Sequence, residues 1–191
     1  MTPEDRAALL GLARATLTAH LARRPLPTAP AVPGALLKRG AFVTITARGA
    51  LRGCIGHIAA DRELASVVSE MTVAAAQDDP RFPPVEPDEL PDLALEISVL
   101  SEAAPVVPPV DAGRIVAGRD GVIVRRGRNV GLLLPQVARE HHWGPEALLA
   151  ATCRKAGLPP EAWREPGTEL FTFQADVFGE TRETGKGKGE P

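Results

Sequence analysis

Apolar residues recur at helical spacing near the start of the chain. Leu10, Ala13, Leu17 and Leu21 share one face, which predicts a helix over residues 3–23. Thr2 suits its N-cap and Pro3 its first turn. Pro25, Pro27, Pro30 and Pro33 then stop the helix and extend the connection. "AFVTITARGALRGCIGHI" switches to β-branched residues on both sides of Arg48-Gly49, predicting a hairpin. Asp61 is placed to cap a second helix, whose apolar face is Leu64, Val67, Val68, Met71, Ala74 and Ala75. That helix ends at Asp78-Asp79-Pro80, because residues before proline avoid the α region. A proline-studded loop, "DDPRFPPVEPDEL", leads to a strand, "LALEISVL", over 93–100.

The second half repeats the order. "DGVIVRRGRNVGLLL" reads as a second hairpin, Pro135 and Pro145 open two helices, and Gly157 closes the latter. "ELFTFQADVFGE" reads as one final strand. A shift of 78 residues lays Ile45 on Ile123, Arg48-Gly49 on Arg126-Gly127, Gly53 on Gly131, Cys54 on Leu132 and Glu96 on Gln174. This predicts a duplicated hairpin–helix–strand unit, over about 40–100 and 118–179. The expected fold is α+β, with the repeats completing one antiparallel or barrel-like sheet flanked by helices. Residues 181–191, which include "ETGKGKGEP", lack apolar residues and are expected to be disordered.

Composition narrows the function classes. The chain has 191 residues, is 44% hydrophobic and 24% charged, and carries a net charge of −2. That balance is ordinary for a globular domain and gives no electrostatic footprint for nucleic acid. No run approaches the ~18 apolar residues of a membrane span, and "MTPEDRAALL" does not resemble a signal peptide. Two cysteines, Cys54 and Cys153, make no disulfide framework, so a reduced cytoplasmic protein is expected.

The chemistry concentrates in "LRGCIGH". On a regular strand Arg52 and Cys54 share a face, and a guanidinium beside a thiol favours the nucleophilic thiolate. His57, three residues on, falls on the opposite face and reaches Cys54 only through a bend at Gly53 or Gly56. Asp79, Glu96, His141 or His142 are alternative bases. Gly53 and Gly56 would let a ligand approach the backbone. Against this stands a plain alternative, since free cysteine is among the residues most often buried for packing. In "DDPRFPPV", Asp79 and Arg81 flank a stiff turn. Arg81 could pair with an acid or present a charge to an anionic substrate. Glu96 interrupts an apolar strand and calls for a partner, such as Arg52 or Arg81. Cys153 reads as core, and Trp143 and Trp163 as core or interdomain plugs rather than stacking platforms. No zinc-type ligand spacing, phosphate loop or nucleotide fingerprint occurs, so no metal or cofactor is required by the sequence.

At these residues the chain resembles the AMMECR domain family, of which "LRGCIG" is the hallmark. The likeness continues through "GAFVTI", "DPRF", "LEISVLS", "GRDGVIV", "LLLPQVA", "CRKAGLP" and Trp163, so one such domain over 1–180 is expected. The resemblance implies an α+β fold of two unequal subdomains, with the motif beside a cleft. It also implies a place in gene triplets with a Memo-like protein and a radical S-adenosylmethionine enzyme, the expected partners. Leu51, Arg52, Gly53, Cys54, Ile55 and Gly56 match the motif without substitution. Two functions are in contention. In one, a cysteine-dependent enzyme uses Cys54, Arg52 and Glu96 for catalysis, with Gly53, Gly56, His57, Asp79 and Arg81 around the substrate. In the other, a binding or scaffold module has a merely structural Cys54.

Overall fold

The computed structural model describes residues 1–107 and 111–180, so the expectation for the tail over 181–191 lies outside the described residues. The chain forms two compact units, Met1–Val99 with the chain from Asp176, and Leu100–Ala175.

The first unit opens with α1, Pro3–Leu21, whose Thr2 N-cap forms a capping box with Asp5. The helix stops two residues earlier than expected, with Arg23 in the left-handed region. Its buried stripe is Leu9, Leu12, Ala13, Thr16 and Leu17. Strands β1 (Ala41–Ala47) and β2 (Ala50–His57) form the expected hairpin around Arg48-Gly49. Both turn residues have positive φ, which matches the twist of a two-residue hairpin turn. Along β1 the burial alternates: Ala41, Val43 and Ile45 face the core while Phe42, Thr44 and Thr46 face outward.

Helix α2 (Leu64–Gln77) starts after Glu63, not at an Asp61 cap; Asp61 instead bonds His57. Strand β3 (Leu93–Leu100) runs antiparallel to β1. The sheet order is β2-β1-β3-β8, with β8 spanning Ala175–Gly179. Leu9, Leu17, Val43, Ile45, Val67, Val68, Leu95 and Ile97 form its core. Each such burial contributes roughly 1.5–3 kcal/mol.

The second unit holds β4 (Ala104–Val106), β5 (Gly121–Arg126), β6 (Asn129–Leu133), α3 (Pro135–Glu140), α4 (Pro145–Lys155) and β7 (Glu169–Phe173). Its sheet order is β4-β7-β5-β6. Val122, Val124, Leu148, Leu149, Cys153, Trp163 and Leu170 make a separate core, so Cys153 and Trp163 are interior as expected. Gly157, at φ 72°, ends α4.

The fold is α+β with antiparallel strands, but the strands are divided between two four-stranded sheets rather than joined in one. Within each, the repeat is visible: β2-β1-β3 matches β6-β5-β7. The final "strand" is in fact two, β7 and β8, broken at Gln174 and belonging to different sheets. β3 likewise runs on into β4 of the other sheet. Each repeat thus ends by contributing one strand to the sheet of its counterpart. Among the described residues, no helix is long and apolar enough to cross a membrane.

Candidate functional site

Pairing sets the site. β2 is an edge strand, and its register with β1 shifts between Ile45, opposite Gly53, and Thr46, opposite Leu51. Arg52 is therefore the extra residue of a β-bulge, which re-aims side chains and breaks the regular alternation. The expected placement of Arg52 beside Cys54 fails for that reason. Its Nε and Nη2 instead bond the two carboxylate oxygens of Glu89, each at 2.8 Å. Nη1 donates to Pro83 O at 2.8 Å and Nη2 to Pro84 O at 3.1 Å. Arg52 holds the proline loop, and among the described residues all its side-chain bonds go there. The Glu89 bond raises the Arg52 pKa, and Arg52 lowers that of Glu89.

Both glycines are explained by packing rather than by a ligand. A Cβ on Gly53 would lie 2.0 Å from Ala75 O of α2, and one on Gly56 would lie 2.2 Å from the Phe42 ring. Gly131 plays the part of Gly53 in the second unit, with Thr152 O of α4 only 2.5 Å from its would-be Cβ.

Beyond the bulge, Cys54 pairs with Thr44, and Thr44 pairs on its other side with Glu96. The three form a row across the outer face of the sheet. The Thr44 hydroxyl donates to Cys54 Sγ at 3.3 Å, and Cys54 is half-buried. In the second sheet the row with the same pairing is Leu132–Ile123–Phe171. The uniform shift that laid Glu96 on Gln174 therefore gives the wrong counterpart, since the pairing register sets Phe171, not Gln174, opposite Ile123. Cys54 on Leu132 and Gly53 on Gly131 are correct, but Ile45 falls on Val124 rather than Ile123.

The outward-pointing backbone of Cys54 is met by the turn at 79–81. Asp79, only 4% exposed, accepts the Cys54 N–H at 2.8 Å. It also accepts Arg81 N–H at 3.1 Å, Nε at 2.9 Å and Nη2 at 2.7 Å. Arg81 Nη2 reaches Cys54 O at 3.4 Å, and the guanidinium stacks over Phe82 with 5.5 Å to the ring centroid. The Arg81 side chain holds the Asp79 carboxyl far below the usual range, assisted by the Cys54 and Arg81 N–H groups and opposed by burial. Arg81 is raised in turn, first by the Asp79 bond and then by the Asp79 charge, against the opposing effect of burial. The cation beside Cys54 is thus Arg81.

His57 pairs with Ala41, on the face opposite Cys54, and its Nε2 lies 2.7 Å from Asp61 Oδ1. His141 stacks on Trp143 in the second unit. Sequence reasoning missed Thr44 and Glu89. Alternation in "FVTIT" does put Thr44 on the polar face, but counting from the turn pairs it with Gly53 unless the bulge is known. Among the described residues no cluster of three or more His, Cys, Asp or Glu could hold a metal.

Comparison with known proteins agrees with the motif. The AMMECR1 family profile matches residues 10–178. A protein of Methanothermobacter thermautotrophicus is 47% identical over 146 residues, 75% of this chain and 76% of its own. The protein Mbar_A1807 of Methanosarcina barkeri is 38% identical over 193 residues, 97% of this chain and 95% of its own. The crystal structure of an uncharacterized protein of Pyrococcus horikoshii, PH0010, superposes with a TM-score of 0.88 at 38% identity, covering 94% of this chain and 93% of that one. With the hallmark motif, the fold and these relatives in agreement, the chain belongs to the AMMECR1 family.

Proposed function

We propose that this protein is a cysteine-dependent enzyme in which Cys54 is the nucleophile. One observation carries the reading: the row Cys54–Thr44–Glu96 occupies the outer face of the first sheet, where the repeat has Leu132–Ile123–Phe171. A row that has only to pack can be apolar throughout. The first is polar and half-exposed, and it places a hydroxyl on the sulfur. An O–H directed at sulfur stabilises the attacking thiolate, and Arg81 adds a fixed positive charge. Glu96, across β1, is the carboxylate of that face and the candidate proton acceptor. Arg52 and Asp79 act as positioning residues through the loop and the turn. The substrate is a small electrophile, or one presented by a partner. The resemblance supports the Memo-like and radical S-adenosylmethionine proteins as those partners, in a cytoplasm that keeps thiols reduced.

A second reading has support of its own. Arg52, Gly53, Gly56 and Asp79 all spend their chemistry on packing the motif, as a binding module with a structural cysteine would require. Alkylation of the native protein across a pH series, mapped by peptide mass, separates the two. Cys54 is expected to react in the folded state while buried Cys153 stays protected, and Thr44→Val is expected to slow Cys54 several-fold. A Cys54 that reacts only on unfolding would leave the binding module as the function.

A further inference from the structure

The turn at 79–81 holds an arginine whose binding capacity is only partly used. Nε and Nη2 of Arg81 are committed to Asp79 and Cys54 O, and the ring of Phe82 supports the guanidinium plane. Among the described residues Nη1 has no partner, and the side chain is 54% exposed. Asp79, in contrast, is buried, and its bonds run to the Cys54 N–H and to Arg81. Glu89 is likewise compensated by Arg52. What solvent meets next to Cys54 is therefore the donor edge of a guanidinium already fixed in place. A preorganised N–H donor of this kind, Nη1, binds a carboxylate or other oxyanion without ordering a long side chain.

Resting on the nucleophile reading above, we propose that the substrate of Cys54 is an anionic electrophile. It carries a carboxylate or similar oxyanion within one or two atoms of the reacting carbon, and Arg81 Nη1 receives that group. Arg81 is then the specificity-determining residue of the site. In the reaction Sγ forms the new S–C bond, the leaving group departs with its bonding electrons, and the thiol proton passes to Glu96.

Two alkylating agents of nearly equal size test this on the full-length folded protein. Iodoacetate carries a carboxylate one bond from the reacting carbon, and iodoacetamide is its neutral counterpart. Taking the ratio of their rates at Cys54 cancels differences in exposure and thiolate fraction. The expected ratio exceeds that of free cysteine by about three- to tenfold at low ionic strength, the scale of one unit charge a few ångströms away in a largely aqueous setting. It should fall toward the free-cysteine value in high salt. Arg81→Gln is expected to abolish the preference, and Arg81→Lys to retain most of it. A wild-type ratio equal to that of free cysteine, insensitive to salt, overturns the anionic substrate while leaving the nucleophile intact. A Cys54 inert to both reagents overturns the nucleophile, and this inference with it. The wild-type ratio and its salt dependence decide the matter even if Arg81→Gln does not fold.

Discussion

Asp79 does more for the site than any other neighbour of Cys54, although its bond to that residue goes to the backbone N–H. It accepts the Cys54 N–H and three N–H groups of Arg81 from a buried position. Asp79→Asn is expected to cost about 2 kcal/mol at neutral pH, because a charge-assisted pair becomes a neutral one beside a buried donor. The sign of the pH dependence follows from the depressed folded pKa. The carboxylate's contribution is full above its unfolded value of 3.8 and is lost as pH falls toward the folded value. Urea titrations from about pH 7 down to about pH 3 should show the gap between wild type and variant constant above about pH 5 and narrowing below it. A gap independent of pH would rule out the ion-pair account. At this scale the sequence was partly readable. "DPR" announced an acid and an arginine on a stiff turn, and parity put His57 on the face away from Cys54. The Thr44–Cys54 pair was hidden, since one extra residue in the strand defeats counting from the turn.

Elements were easier to read where a local rule governs them. The hairpin at Arg48-Gly49, the Thr2 cap and the Gly157 stop follow from backbone chemistry within a few residues. The Asp61 cap failed because His57 claims that carboxylate, and the break at Gln174 failed because "ELFTFQADVF" has no turn residue to mark it. The close approach of α2 to β2 leads to a sharp expectation. Gly53→Ala places a methyl 2.0 Å from Ala75 O, so helix and strand must part, at a cost of about 3 kcal/mol or more. Gly131→Ala should disturb α4 in the second unit by a similar mechanism. Thermal melts of both variants check this, and a neutral Gly53→Ala would mean that α2 slides freely. The bulge has its own test. Deleting Arg52 gives the first hairpin the unbulged register of the second, so Cys54 should still face Thr44 while the 83–89 loop loses its anchor. The expected signs are faster proteolysis within that loop and little change in Cys54 alkylation; protected loop cleavage would contradict the anchoring role.

Across the whole molecule, the repeat was visible as a pattern, but its exchange of strands was not. No local signal says that the strand after β3 joins one sheet and the strand after β7 joins the other. β8 brings more than its own ladder. Asp176 bonds Arg6 at 2.7 Å, while Glu180 pairs with Arg14 and accepts Leu95 N–H at 2.8 Å. A fragment of residues 1–107 should therefore be far less stable than the full chain, despite containing nearly all of the first core. Comparing its thermal melt and solubility with those of the intact protein tests this, and a fragment as stable as the parent would show β8 to be dispensable. The same connectivity bears on how the protein is made. A ribosome delivers α1, the first hairpin, α2 and β3 long before it delivers β8. Until β8 emerges, the sheet bearing Cys54 keeps the open side of β3 unpaired, a template for any passing chain. The nascent first half must therefore wait, with its thiol already in place, for β8 to emerge and close it.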